Sequence, residues 1–222
     1  MERVVFVSVH PDDETLGCGG TILKHSSNGD EIYWLNITNI SISNGYSELE
    51  VKKKNEETQL VSTEYGFKKA FHLGLPPIIL DTIPLSSIIQ QIASIFNEIK
   101  PGIVYINHAN DVHTDHQICF DAVYSCTKNF RFPFIKKVMC YETISETDHA
   151  AVNMRNNFNP NVFVDITDHF EKKCEIFKVY ETEVMPDNLP RSISAIRSLS
   201  SYRGSRIGVK YAEAFQLLFE RV

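Results

Sequence analysis

Val4-Val5-Phe6-Val7-Ser8-Val9-His10-Pro11-Asp12-Asp13-Glu14 is the stretch on which the fold turns. Its first six residues are mostly β-branched or aromatic and carry no charge, the pattern of a short strand buried on both faces. The five that follow set one imidazole and three carboxylates at that strand's C-terminal end. Residues 15–24, with Gly17, Gly19 and Gly20 near the start, then open a helix. In open α/β sheets ligands bind at the carboxyl ends of strands, so this junction is the first place to look for chemistry.

Three consecutive acids repel one another. Either they cap the next helix as a solvated turn, or a cation holds them, and imidazole with carboxylate suits zinc and its neighbours among the transition metals. A second cluster favours the cation. His108-Ala109-Asn110-Asp111-Val112-His113-Thr114-Asp115-His116 follows another apolar run, residues 103–106, and gathers three of the eight histidines into nine positions. Packing alone does not explain three histidines and two aspartates at a second strand end.

The remaining chain alternates strand and helix. Strands are expected over residues 4–9, 32–38, 69–73, 103–107, 138–141 and 162–166. Helices are expected up to residue 27 and over 48–65, 86–100, 114–128, 168–180, 193–202 and 211–219, with loops at 39–47 and 185–190. This pattern predicts an α/β fold, a Rossmann-like three-layer sandwich with a mainly parallel central sheet, in one domain spanning residues 1–222. The segment after about residue 140 is expected to complete the sheet and cover the site.

Bulk properties narrow the function. A net charge of -6, from 22 basic and 28 acidic residues, argues against nucleic acid as the partner. Five cysteines, widely spaced and without Cys-x-x-Cys, read as a reduced set. Without a signal peptide or an apolar run of bilayer length, the expected location is the cytoplasm, with no membrane span. The dinucleotide fingerprint fails because position 22 is Ile. Neither a P-loop nor a Gly-x-Ser-x-Gly elbow is present.

Catalytic zinc takes three protein ligands and keeps one position for water, whose pKa it lowers towards about 7. The adjacent Asp12 and Asp13 point different ways, so one can bind metal while the other takes a proton from the water. His113 and His116 can face one point if a helix starts between them. One can ligate while the other, protonated and held by Asp115, stabilises an oxyanion.

These motifs resemble those of the zinc-dependent N-acetylglucosaminyl deacetylases, the LmbE-like or PIG-L-like superfamily. The resemblance rests on His10-Pro11-Asp12-Asp13-Glu14 with His113-x-Asp115-His116. Weaker similarities are Lys54-x-x-Glu57 before Tyr65-Gly66, Phe71-His72-Leu73-Gly74, Tyr141-Glu142-Thr143, Asp165-Ile166-Thr167 and Gly208-x-x-Tyr211-Ala212-Glu213-Ala214-Phe215. The resemblance implies a Rossmann-like fold and hydrolysis of the N-acetyl group of an amino sugar or glycoconjugate. It implies one Zn2+ per chain on His10, Asp13 and His116, a set that other divalent metals also fit. Asp12 would be the general base and His113 the oxyanion stabiliser or general acid, with Asp115 behind it. Lys54, Glu14 and Glu142 are the candidate substrate-side residues, Glu14 just behind the metal ligands.

Two departures bear on substrate. Thr38-Asn39-Ile40-Ser41 replaces the family's Thr-x-Gly-Glu, and Lys54 stands where an arginine is usual, without its bidentate fork. The competing readings are an amidase for a larger N-acyl conjugate and a metal-binding relative without turnover. A homo-oligomer is compatible with the sequence.

Overall fold

The computed structural model describes residues 1–151 and 157–222. Its sheet is built on β1 (Arg3–Ser8), which pairs in parallel with β2 (Glu31–Thr38) on one side and β4 (Ile103–Asn107) on the other. β3 (Lys69–Leu75) joins β2, and β5 (Lys137–Tyr141) joins β4, both in parallel. Two later strands, β6 (Val162–Asp165) and β7 (Ala212–Glu220), complete the order β3-β2-β1-β4-β5-β7-β6.

The alternation of side chains along β1 divides the core. Val5, Val7 and Val9 pack with Ile88, Ile92 and Phe96 of α3 (Leu85–Ile99) and with Cys119 and Val123 of α4 (Thr114–Ser125). Val4 and Phe6 pack on the other face with four helices. These are α1 (Asp13–Ser27), α2 (Glu48–Tyr65), α5 (Phe170–Phe177) and α6 (Ile193–Ser205). The result is the expected three-layer α/β sandwich. Close approach of α1 to the sheet depends on Gly17, where a Cβ would stand 2.2 Å from the Tyr141 ring. The Tyr141 hydroxyl in turn donates to the Val7 carbonyl at 2.7 Å.

One element differs from expectation. Residues 211–219 are not a helix: Ala212–Glu220 is β7, antiparallel to β5 on one side and to β6 on the other. An internal strand packs on both faces and shows no clean alternation, so a short apolar run does not distinguish it from a buried helix. The helix expected over 168–180 is also shorter, α5 following a single 3₁₀ turn at Thr167–His169.

The chain moves from β1 outward to β2 and β3, then returns to start again at β4. The strand order therefore reverses between β1 and β4, and the crevice at their C-terminal ends is a topological switch point. Both sequence clusters leave the sheet there.

Candidate active site

From β1 the backbone turns sharply into α1. Asp12, which precedes α1, has φ 151°, a region that strains any residue but glycine. The turn sends the Asp13 carboxylate back under the strand end, where its Oδ2 accepts the N–H groups of Val9 (3.0 Å) and His10 (2.8 Å). Beyond β4, His113 caps α4 by accepting the Asp115 N–H on Nδ1 at 3.1 Å. His116 lies in the first turn of α4, fully buried and facing β1.

Three donor atoms converge. His116 Nε2 is 3.3 Å from His10 Nδ1 and 3.4 Å from Asp13 Oδ2, and His10 Nδ1 is 3.9 Å from that same oxygen. This group could hold a metal ion. Each imidazole is backed by a carboxylate on its other nitrogen: Asp111 Oδ2 at 2.7 Å from His116 Nδ1, and Asp115 Oδ2 at 3.3 Å from His10 Nε2. In the singly protonated rings these partners assign the proton to the outer nitrogen, so that the inner nitrogens are the ones free to donate a lone pair to the cluster. Burial alone would lower the His116 pKa, but Asp13 and Asp111 outweigh it and push it up to about 9.

Asp12 lies beside this group. Burial drives its pKa well above the usual carboxylate range, Asp13 and Glu183 add to the shift, and Arg191 at 3.4 Å partly reverses it. Glu183 links Lys54 (2.8 Å) to Arg191 (3.0 Å), so a chain of alternating charge runs up to Asp12. A cavity of about 300 Å³ opens here, lined by His10, Asp12, Asp13, Lys54, His113, Glu146, Glu183 and Arg191 among others.

Most sequence candidates thus meet, with differences in detail. The Asp115 carboxylate does not hold His113. It accepts the N–H groups of Ile78 (2.6 Å) and Leu80 (3.2 Å) and backs His10. His113 is held by the backbone instead, as a helix-capping side chain, and its pKa is lowered by burial and by His10 and His116. These surroundings disfavour the protonated imidazole expected. Glu14 is fully buried, accepting hydroxyl protons from Tyr180 (2.8 Å) and Thr15 (2.7 Å), and burial raises its pKa to about 7. Glu142 grips Arg203 with both oxygens, at 2.7 and 2.6 Å. Neither lines the cavity; Lys54 does.

The sequence reading missed Asp111, Glu183 and Arg191. Asp111 stands five positions before His116 in the quoted cluster, and the carboxylate–imidazole pairing was a usable signal. Glu183 and Arg191 lie between α5 and α6, and no spacing connects them to Asp12.

Fold and site together define an α/β protein with a potential metal-binding group and a flanking carboxylate at its switch point. Comparison with known proteins gives this a family. Residues 5–127, more than half the chain, match the PIG-L family, described as GlcNAc-PI de-N-acetylase, and the chain belongs to that family. A diacetylchitobiose deacetylase of Thermococcus kodakarensis is 24% identical over 227 residues, covering 98% of this chain and 84% of that protein. Among solved structures, the conserved protein TT1542 from Thermus thermophilus superposes with a TM-score of 0.79 at 21% identity, covering 100% of this chain and 97% of that one. The N,N'-diacetylchitobiose deacetylase from Pyrococcus horikoshii, bound to an inhibitor, gives 0.77 at 22%, covering 98% and 84%.

Proposed function

We propose that the protein is a metal-dependent N-deacetylase that hydrolyses the acetamide of an N-acetylated amino sugar or its conjugate. The observation that carries this reading is the triangle of His10 Nδ1, Asp13 Oδ2 and His116 Nε2, with edges of 3.3, 3.4 and 3.9 Å and Asp12 at its side. Ligands held about 2.0–2.1 Å from a tetrahedral zinc stand about 3.3 Å apart, so this donor set fits Zn2+, one per chain. The bound cation supplies Lewis acidity, acidifying water and polarising the amide carbonyl.

The rest of the chemistry belongs to the chain. Asp12, buried and so a stronger base than a solvated carboxylate, takes the proton of the attacking water and returns it to the departing amine. Arg191 directs Asp12 and offsets part of the rise in its pKa. His113, its Nδ1 occupied by the Asp115 N–H, has its proton on Nε2 and donates it as a hydrogen bond to the developing oxyanion. Asp111 and Asp115 fix the ring orientation of His116 and His10. Lys54 lines the approach for the sugar.

Membership of the PIG-L family and the similarity to a diacetylchitobiose deacetylase support an amino-sugar substrate. Five cysteines, all buried and unpaired, support a reducing compartment, the cytoplasm. The test is acetate release over a panel of N-acetylated sugars, with metal analysis of the same sample. Stoichiometric zinc with turnover of at least one N-acetylglucosamine derivative is expected; turnover restricted to bulky N-acyl amides would replace this reading with the amidase.

A further inference from the structure

Besides its charged and polar groups, the cavity has apolar lining that includes Ile40, Tyr46, Pro77 and Ile78. Ile78 is unusual on two counts. Its φ is +74°, a left-handed conformation that is an outlier for a β-branched residue. The residue is also 66% exposed, so it gains little from burial in return. Glycine or asparagine would take this backbone shape with less strain. Among the described residues, Ile78 joins neither hydrophobic core cluster.

The position is nevertheless tightly specified. Asp115 accepts the N–H groups of both Ile78 and Leu80 and lies against His10 Nε2. One carboxylate therefore fixes the rim segment relative to a histidine of the catalytic centre. The cavity, about 300 Å³, is at the small end of ligand sites and takes one sugar-sized unit. Whatever else the substrate carries must leave across the rim.

We infer that Ile78 is a specificity-determining residue: it packs against an apolar alkyl or aryl substituent on the amino sugar and favours such conjugates over the free sugar. An exposed apolar side chain held under strain at a binding rim is the kind of local conflict that function, rather than stability, explains. The inference rests on the deacetylase reading of the same site, and the test separates the two.

Acetate release is measured from N-acetylglucosamine and from its hexyl and phenyl glycosides, with wild-type protein, I78G and I78L. Wild type is expected to prefer the glycosides in kcat/KM by roughly tenfold or more, the size of one buried isoleucine contact. I78G brings that ratio close to one, while I78L, which keeps an apolar side chain, retains most of it. Because I78G relieves the backbone, its melting temperature should not fall, and lost preference then reflects lost contact rather than unfolding. The same affinity ratios are measured by calorimetry on the zinc-loaded D12N protein, where no turnover is needed. Equal handling of free sugar and glycosides by wild type, or a preference that survives in I78G, overturns the inference. If no sugar releases acetate but D12N binds the glycosides tenfold tighter in an Ile78-dependent way, the deacetylase reading fails and the apolar subsite stands.

Discussion

His116 Nε2 faces His10 Nδ1 at 3.3 Å across 106 residues of chain. Two imidazole nitrogens this close cannot both carry protons, and Asp13 Oδ2 completes the triangle with them. The arrangement is suited to sharing one cation. His116→Ala removes a donor, and metal analysis of the purified variant should give content well below stoichiometric. Normal zinc binding in that variant would move the ligand role to His113 or His108.

The support behind His116 should matter almost as much. Asp111 Oδ2 receives the Nδ1 proton at 2.7 Å and holds the ring so that Nε2 faces inward. Asp111→Asn keeps the size but can present its amide to the ring, freeing the wrong tautomer. Metal affinity should fall by about 10- to 100-fold, the usual effect of losing such a partner. Competition with a chelator of known affinity measures it.

Asp12 stands apart from the three converging donors. Its oxygens are not part of the triangle, and its nearest charged partner is Arg191 at 3.4 Å. Asp12→Asn should therefore retain metal and lose about 100- to 10,000-fold in acetate release. Metal loss in Asp12→Asn would show that Asp12 and Asp13 have exchanged roles.

What the sequence revealed and what it concealed follow from the distance over which each contact acts. His10, Asp12 and Asp13 are read from four positions after one strand, and His113 and His116 from one helix start, so local pattern suffices. The parallel strands β1 to β5 are likewise separate apolar runs with turn signals between them. Arg191 meets Asp12 across 179 residues, and only the packing of the α5–α6 connection brings them together. The strand at Ala212–Glu220 carries a helix-like pattern because an internal strand buries both faces and loses its period of two. Proximity in sequence suggests Asp115 behind His113, whereas its carboxylate reaches Ile78, Leu80 and His10 instead.

The raised pKa of His116 has a consequence for stability. Its folded value of about 9 exceeds the unfolded 6.5, so the stabilisation is fully present below pH 6.5 and is lost as pH rises through 9. Its size is on the order of 3 kcal/mol. Glu14, raised from 4.5 to about 7, acts in the same direction in a lower window. Chelator-treated protein should therefore melt at falling temperatures between pH 6.5 and 9, and His116→Gln should flatten that slope while leaving the one below it. Zinc-loaded protein should show the opposite trend, since protons compete with metal for the imidazoles. A metal-free melting temperature that rises across this window would contradict the assignment.

The misread last strand carries the final prediction. Glu213 on β7 lies against α1 and α5, buried at 4% exposure. Its Oε1 accepts the Gly20 N–H at 2.9 Å and sits 2.6 Å from Lys173 Nζ, while Oε2 accepts the Thr21 N–H at 2.8 Å. Lys173, 2% exposed, also donates to the Leu16 carbonyl at 2.9 Å. These bonds tie the C-terminal strand to the helix that begins at Asp13, so the last strand helps hold the candidate metal-binding group in register. Glu213→Leu leaves a buried ammonium with one carbonyl for company and should cost about 3–5 kcal/mol. Adding Lys173→Met removes the stranded charge, and the double variant should recover a large part of that loss even though two helix N–H groups remain without their carboxylate. Denaturant midpoints at unchanged slope give both values. If the double variant is destabilised by the sum of the Glu213→Leu effect and that of Lys173→Met measured alone, the pair does not act as a unit, and the burial of Lys173 requires another explanation.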